Sequence, residues 1–367
     1  MRVLRLGLGD GRTIDLHPAV SIVTGLTEAE RTSLRRGFSA VTTGLAPPEP
    51  GLLEAHGLLL DTSQADLDLL EVPAAPVLAV ATTAEVAADL PDGSADALRT
   101  AERDLLLLAG DRWRCTQAAR RSRGATSTAA VDATRAALLR ARIERHRARS
   151  AEGVRTALDE VRDTTRARRP PDPQRLAAEL TRIGLDSTDL GLTTDELVRL
   201  AEDWLEERRS EADWVVGAEV ELAAHERPDG DRSHDAEGGV LEARAAQATE
   251  AHAGAIVRLD EHQLDIIGAH GPAPAAGDVL SHLLGRLGSH RPARLAGAAP
   301  LVLHDLLGHL DDRDVAHVLD RAAGLAGAVQ LVVVDDHPAA RGWAARVGIR
   351  SAAVVGPAED GDEVRST

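Results

Sequence analysis

Three short stretches carry residue types able to act on a phosphorylated ligand. In residues 20–34, VSIVTGLTEAERTSL, an apolar β-branched run ends at Gly25 and a polar helix start follows. Against the phosphate-loop spacing G-x-x-x-x-G-K-[ST], Gly25 holds the first position, Glu30 the second glycine, Arg31 the lysine and Thr32 the hydroxyl. Arg31 can fork onto phosphate oxygens and Thr32 can reach Mg²⁺. Glycine at the second position is what lets backbone N–H groups approach the anion, and Glu30 sets a like charge there instead. The plainer reading is a strand–turn–helix connection. In it Thr27 is the N-cap and Glu30, three residues on, completes a capping box.

In residues 299–315, APLVLHDLLGHLDDRDV, an apolar run ends in His304-Asp305, with Asp311 and Asp312 close behind. A carboxylate at the end of such a strand is where P-loop ATPases handle Mg²⁺ or the attacking water. His304, Asp305, His309, Asp311 and Asp312 also read as a metal cluster, and Asp311 as the cap of the next helix. In residues 329–344, VQLVVVDDHPAARGWA, a third apolar run ends in Asp335-Asp336-His337-Pro338. Polar residues at strand carboxyl ends line the ligand crevice of open α/β sheets. Asp336 reads equally as a helix N-cap.

These residues need a scaffold, and the chain outlines one. Val3–Leu6 and Thr13–Leu16 flank Gly9-Asp10-Gly11, a hairpin signal. Val20–Thr24 is a strand, Glu28–Phe38 a helix, and Leu58–Leu60 and Pro76–Val80 are further short strands. From about Ala95 the period changes. Leu98, Ala101, Leu105 and Leu108 form a heptad seam, continued by Cys115 and Ala119. A second seam runs through Leu241, Ala245, Ala248, His252, Ala255, Leu259, His262 and Ile266. Between them Val154, Leu158 and Val161 make a helical stripe, stopped by Pro170, Pro171 and Pro173. Leu197, Leu200 and Trp204 share a later face. The seams fit either a plain helical bundle or a projecting antiparallel arm. Past Gly271-Pro272-Ala273-Pro274, strands at Pro300–Leu303, Val329–Val334 and Ser351–Val355 alternate with helices at Asp311–Leu325 and Ala339–Val347. Continuous apolar strands alternating with helices predict a parallel sheet covered on both faces.

The order of these pieces resembles the ATPase head of the SMC, RecN and RecF type of ABC ATPases. The resemblance covers about residues 1–90 and 272–356, with the helices where that family places its coiled-coil arms. It implies an α/β fold: a mostly parallel P-loop NTPase-like sheet domain assembled from both chain ends, with an inserted helical or coiled-coil region. The expected divisions are 1–94 and 269–356 for the two halves of the head, 95–268 for the insertion and 357–367 for a disordered tail. It also implies ATP and Mg²⁺ as cofactors, and a homodimer. His304 then falls on the Mg²⁺-organising aspartate and Asp305 on the catalytic glutamate. Leu310-Asp311 falls on the D-loop, and Asp336 or His337 near the switch histidine. Thr32 and Asp305 are the metal-facing pair. Between Gly277 and Pro300 the chain offers only GDVLSHLLGRLG, which lacks the Ser-Gly-Gly core of the family signature. Losing one preorganised charge-stabilising group costs roughly 10²–10³ in rate in other enzymes. Several replacements together predict a degenerate head, a pseudo-ATPase with a structural or regulatory role. Chromosome association follows from the resemblance alone. The alternatives are a residual ATP binder or slow ATPase using Arg31, Thr32 and Asp305, and a helical scaffold that recruits a protein partner.

Composition bounds the partners. The 367 residues carry a net charge of −17 and contain a single cysteine, Cys115, which excludes an internal disulfide. Aromatic residues make up 1%, and Lys and Asn are absent, so the core is Leu, Val and Ala and an arginine can stand where other chains use lysine. No long apolar run suggests a signal peptide or membrane span, which predicts a cytoplasmic protein. A chain this acidic does not coat nucleic acid over its whole surface. One basic stretch departs from the balance: Arg112, Arg114, Arg120, Arg121, Arg123, Arg140, Arg142 and Arg145 lie among few carboxylates. It can track DNA phosphates, dock on an acidic partner, or be neutralised by the carboxylate-rich stretch 195–226. No aromatics interleave the arginines, so base stacking is not expected. The loop HERPDGDRSHDAEGG, 225–239, reads as solvated rather than metal-binding.

Overall fold

A computed structural model describes residues 1–9, 11–72, 76–82, 94–122, 129–148, 152–167, 173–182, 193–225, 238–267, 275–289, 296–324 and 329–356. The tail 357–367, most of the 225–239 loop and Arg123 lie outside them.

Two sheets share the chain ends. Strands β1 (Arg2–Gly9), β2 (Arg12–Asp15), β4 (Leu52–Ala55) and β5 (Leu58–Asp61) form an antiparallel sheet in the order β2-β1-β4-β5. Strands β3 (Val20–Val23), β6 (Val80–Thr82), β7 (Leu301–His304), β8 (Leu331–Val334) and β9 (Ala352–Val355) form an all-parallel sheet in the order β6-β7-β8-β3-β9. Both chain ends thus contribute to one parallel layer, as expected. The N-terminal strands do not all join it: only β3 and β6 do, and the rest build the separate antiparallel sheet. The opening hairpin matches its Gly9 and Gly11 signal, both at positive φ. The β4–β5 hairpin escapes sequence reading because its turn is His56-Gly57, with φ 55° and 89°, where Asn-Gly would have announced it.

All residues of β3, β7 and β8 are buried, which accounts for their unbroken apolar runs. Two polar residues lie among them: His304 ends β7, and Ser21 accepts the His17 N–H through Oγ at 2.8 Å. Gln330, just before β8, joins the two sheets. Its side chain accepts from Val3 N and donates to Val3 O, both at 2.8 Å.

The helices are α1 (Glu28–Thr42), α2 (Gln64–Leu69), α3 (Ser94–Ser122), α4 (Ala129–Ala148), α5 (Glu152–Ala167), α6 (Pro173–Arg182), α7 (Thr194–His225), α8 (Gly238–Ile267), α9 (Ala276–Ser289), α10 (Asp312–Ala323) and α11 (Pro338–Val347). α1 packs on β1, and α11 on β9 and β3. The two predicted seams meet: α3 and α8 pack along much of their length. They run antiparallel, since Asp96 and Thr100 share a groove with His262 while Arg112 acts on His252. The seam is not closed by helix against helix alone. Leu98, Leu105, Ala255, Ile256 and Leu259 are buried together with Ala40 at the end of α1, and Leu78 packs against them.

The chain divides into two compact units. One comprises Met1–Thr126, Asp231–Ala322 and Val329–Thr367; the other comprises Ser127–Gly230 and Ala323–Ala328. These limits differ from the expected 95–268, because α3 and α8 pack with the sheets' own helices. The second unit has its own core, in which Val154, Leu158 and Val161 of α5 meet Leu176 and Leu180 of α6 and Leu197 and Trp204 of α7. No described helix is long and apolar enough to cross a membrane.

Candidate functional site

The parallel register aligns the carboxyl ends of β7, β8 and β3, so the three chemistry-bearing stretches end side by side. Gly25, at φ 73°, turns the chain from β3 toward α1. The turn is short: α1 begins at Glu28, so Glu30, Arg31 and Thr32 lie in its first turns rather than in a loop. The capping box forms as expected. Thr27 Oγ1 accepts from Glu30 N at 3.3 Å, and the Glu30 carboxylate accepts from Thr27 N at 2.7 Å. That carboxylate is buried and also lies 2.7 Å from Arg12.

Arg31 reaches across the strand ends. Its guanidinium donates to Asp305 Oδ1 and to Asp336 Oδ2, each at 2.5 Å. The other Asp336 oxygen accepts from Gly25 N at 2.8 Å. Asp336 therefore clamps the glycine loop and the arginine together. It is not the cap of α11; His337 is, with Nδ1 accepting from Ala339 N at 3.2 Å. His337 Nε2 then carries the proton and donates to Leu310 O at 3.1 Å. Asp311 caps α10 by accepting from Asp314 N at 2.8 Å.

Asp305 has φ 52°, a left-handed conformation that aspartate tolerates better than most side chains. Burial would push its carboxyl up. The contact with His304 and the charges of Arg31 and Arg35 outweigh burial and hold it below the usual carboxylate range. Asp335, one residue before the clamp, behaves oppositely: burial pushes it up, although His337 N and Leu307 N donate to it.

His304 is fully buried at the end of β7. Its Nε2 lies 3.0 Å from Arg35 Nη1. Arginine has no acceptor, so Nε2 accepts and the ring proton sits on Nδ1. The Nδ1 proton faces Asp305 Oδ2 at 2.9 Å, without well-aligned hydrogen-bond geometry. Arg35 also donates to Thr32 Oγ1 at 2.9 Å and to Asp260 Oδ1 of α8 at 2.7 Å.

The Gly25 N–H, the Arg31 fork, the Thr32 hydroxyl and the cap of α1 are all engaged by the chain itself. Among the described residues no cluster of three or more His, Cys, Asp or Glu is placed to hold a metal. His309 and Asp312 lie near the crevice in sequence, but Asp312 only approaches His337, at 4.0 Å. The segment read against the family signature is the amphipathic helix α9. Two participants were not anticipated. Arg35 was findable, one helical turn beyond Arg31. Asp260 was not, since its partners lie more than 200 residues away in sequence.

The basic stretch is divided between the two units. Arg112 is buried, donating to Gly44 O at 2.5 Å and Asp68 at 3.2 Å, and Arg120 donates to Asp68 at 2.7 Å. Arg114 is exposed and pairs with Asp111. In the second unit Arg142 is buried and Arg140 exposed on α4. That helix packs on α7, the carboxylate-rich one. Arg121 and Arg145 lie within α3 and α4.

Comparison with family models, curated proteins and solved structures finds no match for this chain.

Proposed function

We propose that the protein is a degenerate ATPase-like head, similar in plan to the SMC, RecN and RecF class, whose crevice is closed by its own carboxylates and which serves a structural or regulatory role. The observation that carries this reading is the Arg31 fork. The residue in the lysine position is bridged between Asp305 and Asp336, and Asp336 also takes the Gly25 N–H. A phosphate would have to displace two carboxylates from an arginine, a charge-assisted arrangement roughly twice as strong as neutral hydrogen bonds. The adjacency of the β7, β8 and β3 ends supports the reading, since the resemblance assigns these stretches to catalysis, switching and phosphate binding.

Equilibrium binding of a fluorescent ATP analogue, with and without Mg²⁺, tests this. The expected result is no saturable binding in the micromolar range, in the wild type and in Arg31→Ala alike. Micromolar binding that Arg31→Ala abolishes would overturn it in favour of a residual ATP binder. The chromosome link rests on the resemblance alone. With Arg112 and Arg142 buried and α4 lying on acidic α7, retention on duplex DNA is expected to be weak and nearly flat with salt; a steep salt dependence would restore a DNA-binding arm.

A further inference from the structure

We propose that the charge balance of the strand-end crevice sets the seat of α8 on α1, with Arg35 as the positioning residue that couples them. This goes beyond the nucleotide reading and does not depend on it. Arg35 is 1% exposed and is shared by three elements. Toward α8 it donates to Asp260 Oδ1. Toward β7 it donates to His304 Nε2, and within α1 to Thr32 Oγ1. The other Asp260 oxygen accepts from Arg36 at 2.8 Å. On the crevice side His304 leads to Asp305, and Asp305 to Arg31 and Asp336. Charges alternate from α8 through to the Gly25 loop.

A buried ion pair is weak evidence for stability, since an apolar pair of similar volume often does as well. What the arrangement supplies is dependence of one contact on another. Arg35 acts on Asp260 by direct bonding and on Asp305 through its charge, and it also lies 3.7 Å from the exposed Glu28 carboxylate. While Arg31 is bound to Asp305, Arg35 is left to Asp260. Without Arg31, the half-buried Asp305 keeps its negative charge beside His304 and draws on Arg35, whose charge still acts on it. Arg36, about one-third exposed, is then the arginine left bonded to Asp260.

Amide hydrogen exchange across residues 252–263 of α8 reads this coupling, because exchange reports local opening element by element. Asp260→Asn and Arg31→Ala are each expected to speed exchange there about tenfold or more, the loss of a bond to a charged group. The double variant Arg31→Ala with Asp305→Asn is expected to return exchange close to the wild-type rate, because the competing charge is gone. Two results would overturn the proposal: unchanged α8 exchange in Arg31→Ala, or a double variant as fast as that single one. If Arg31→Ala loses protection throughout β8 as well, Arg31→Gln takes its place and is read by the same two outcomes.

Discussion

Asp305 gathers several constraints into one side chain: a left-handed backbone, a buried histidine beside it and an arginine bonded to it. Its folded-state pKa is depressed, so it contributes stability that is present above the unfolded value of about 3.8. That contribution is lost as pH falls through the lower folded value. Asp305→Asn keeps the shape and removes the charge, and asparagine tolerates the same backbone. The expected outcome is a lower urea midpoint than wild type near neutrality, with the gap narrowing as pH is lowered through the acidic carboxylate range. A gap independent of pH would show that the charge contributes nothing. At this scale the legible contacts were the local ones. Thr27 and Glu30 lie three residues apart and their box was readable. Asp311 ahead of α10 was readable for the same reason. Asp336 was read as a possible cap because its true partner, Gly25, lies 311 residues away.

Between elements, α3 and α8 meet the C-terminal end of α1 and α2 in a buried polar cluster. The heptad spacing placed His252 on the seam, and it is fully buried there. Thr43 Oγ1 donates to Ser39 O, so it accepts from His252 Nε2 at 2.9 Å. Burial first, and then the nearby Arg112 charge, lower the His252 pKa from 6.5 to about 4. Thr43 faces it from α1 and Arg112 from α3, with Asp68 of α2 behind Arg112. An unfolded chain takes up this proton before the folded one does, so stability is full above about 6.5 and is lost as pH falls toward 4. The loss is on the order of 3 kcal/mol. His252→Gln keeps a donor for Thr43 and cannot titrate. Chemical denaturation from pH 7 to pH 4 is expected to show a shallower decline in this variant than in wild type, and parallel curves would contradict the assignment. The helix pair itself was legible from its period. That it closes on Ala40 and Leu78 was not, because apolar spacing tells which face is buried and not against what.

At the scale of the molecule, alternation of apolar strands and helices foretold the parallel sheet, and the split of that pattern foretold that both chain ends supply it. The strand at Leu58–Leu60 was legible, but its pairing with β4, and so the four-stranded antiparallel sheet, was not, because their turn lacks the usual residues. The division at 127 and 230 was missed because the helical signal runs unbroken in character from α3 into α4, while the packing does not. Each unit has its own apolar core, and this has a measurable consequence. Leu176 is fully buried among α5, α6 and α7. Leu176→Ala leaves a cavity there and costs about 2–5 kcal/mol locally. In the full-length protein, exchange of amides in α5 and α6 is expected to rise by orders of magnitude, while β8, at residues 331–334, keeps its wild-type rate. Separate cores open separately, since residues far apart with no shared partners contribute independently. Equal acceleration in β8 would mean that the two cores unfold as one, and the helical unit would then have no separate role as a platform for a partner.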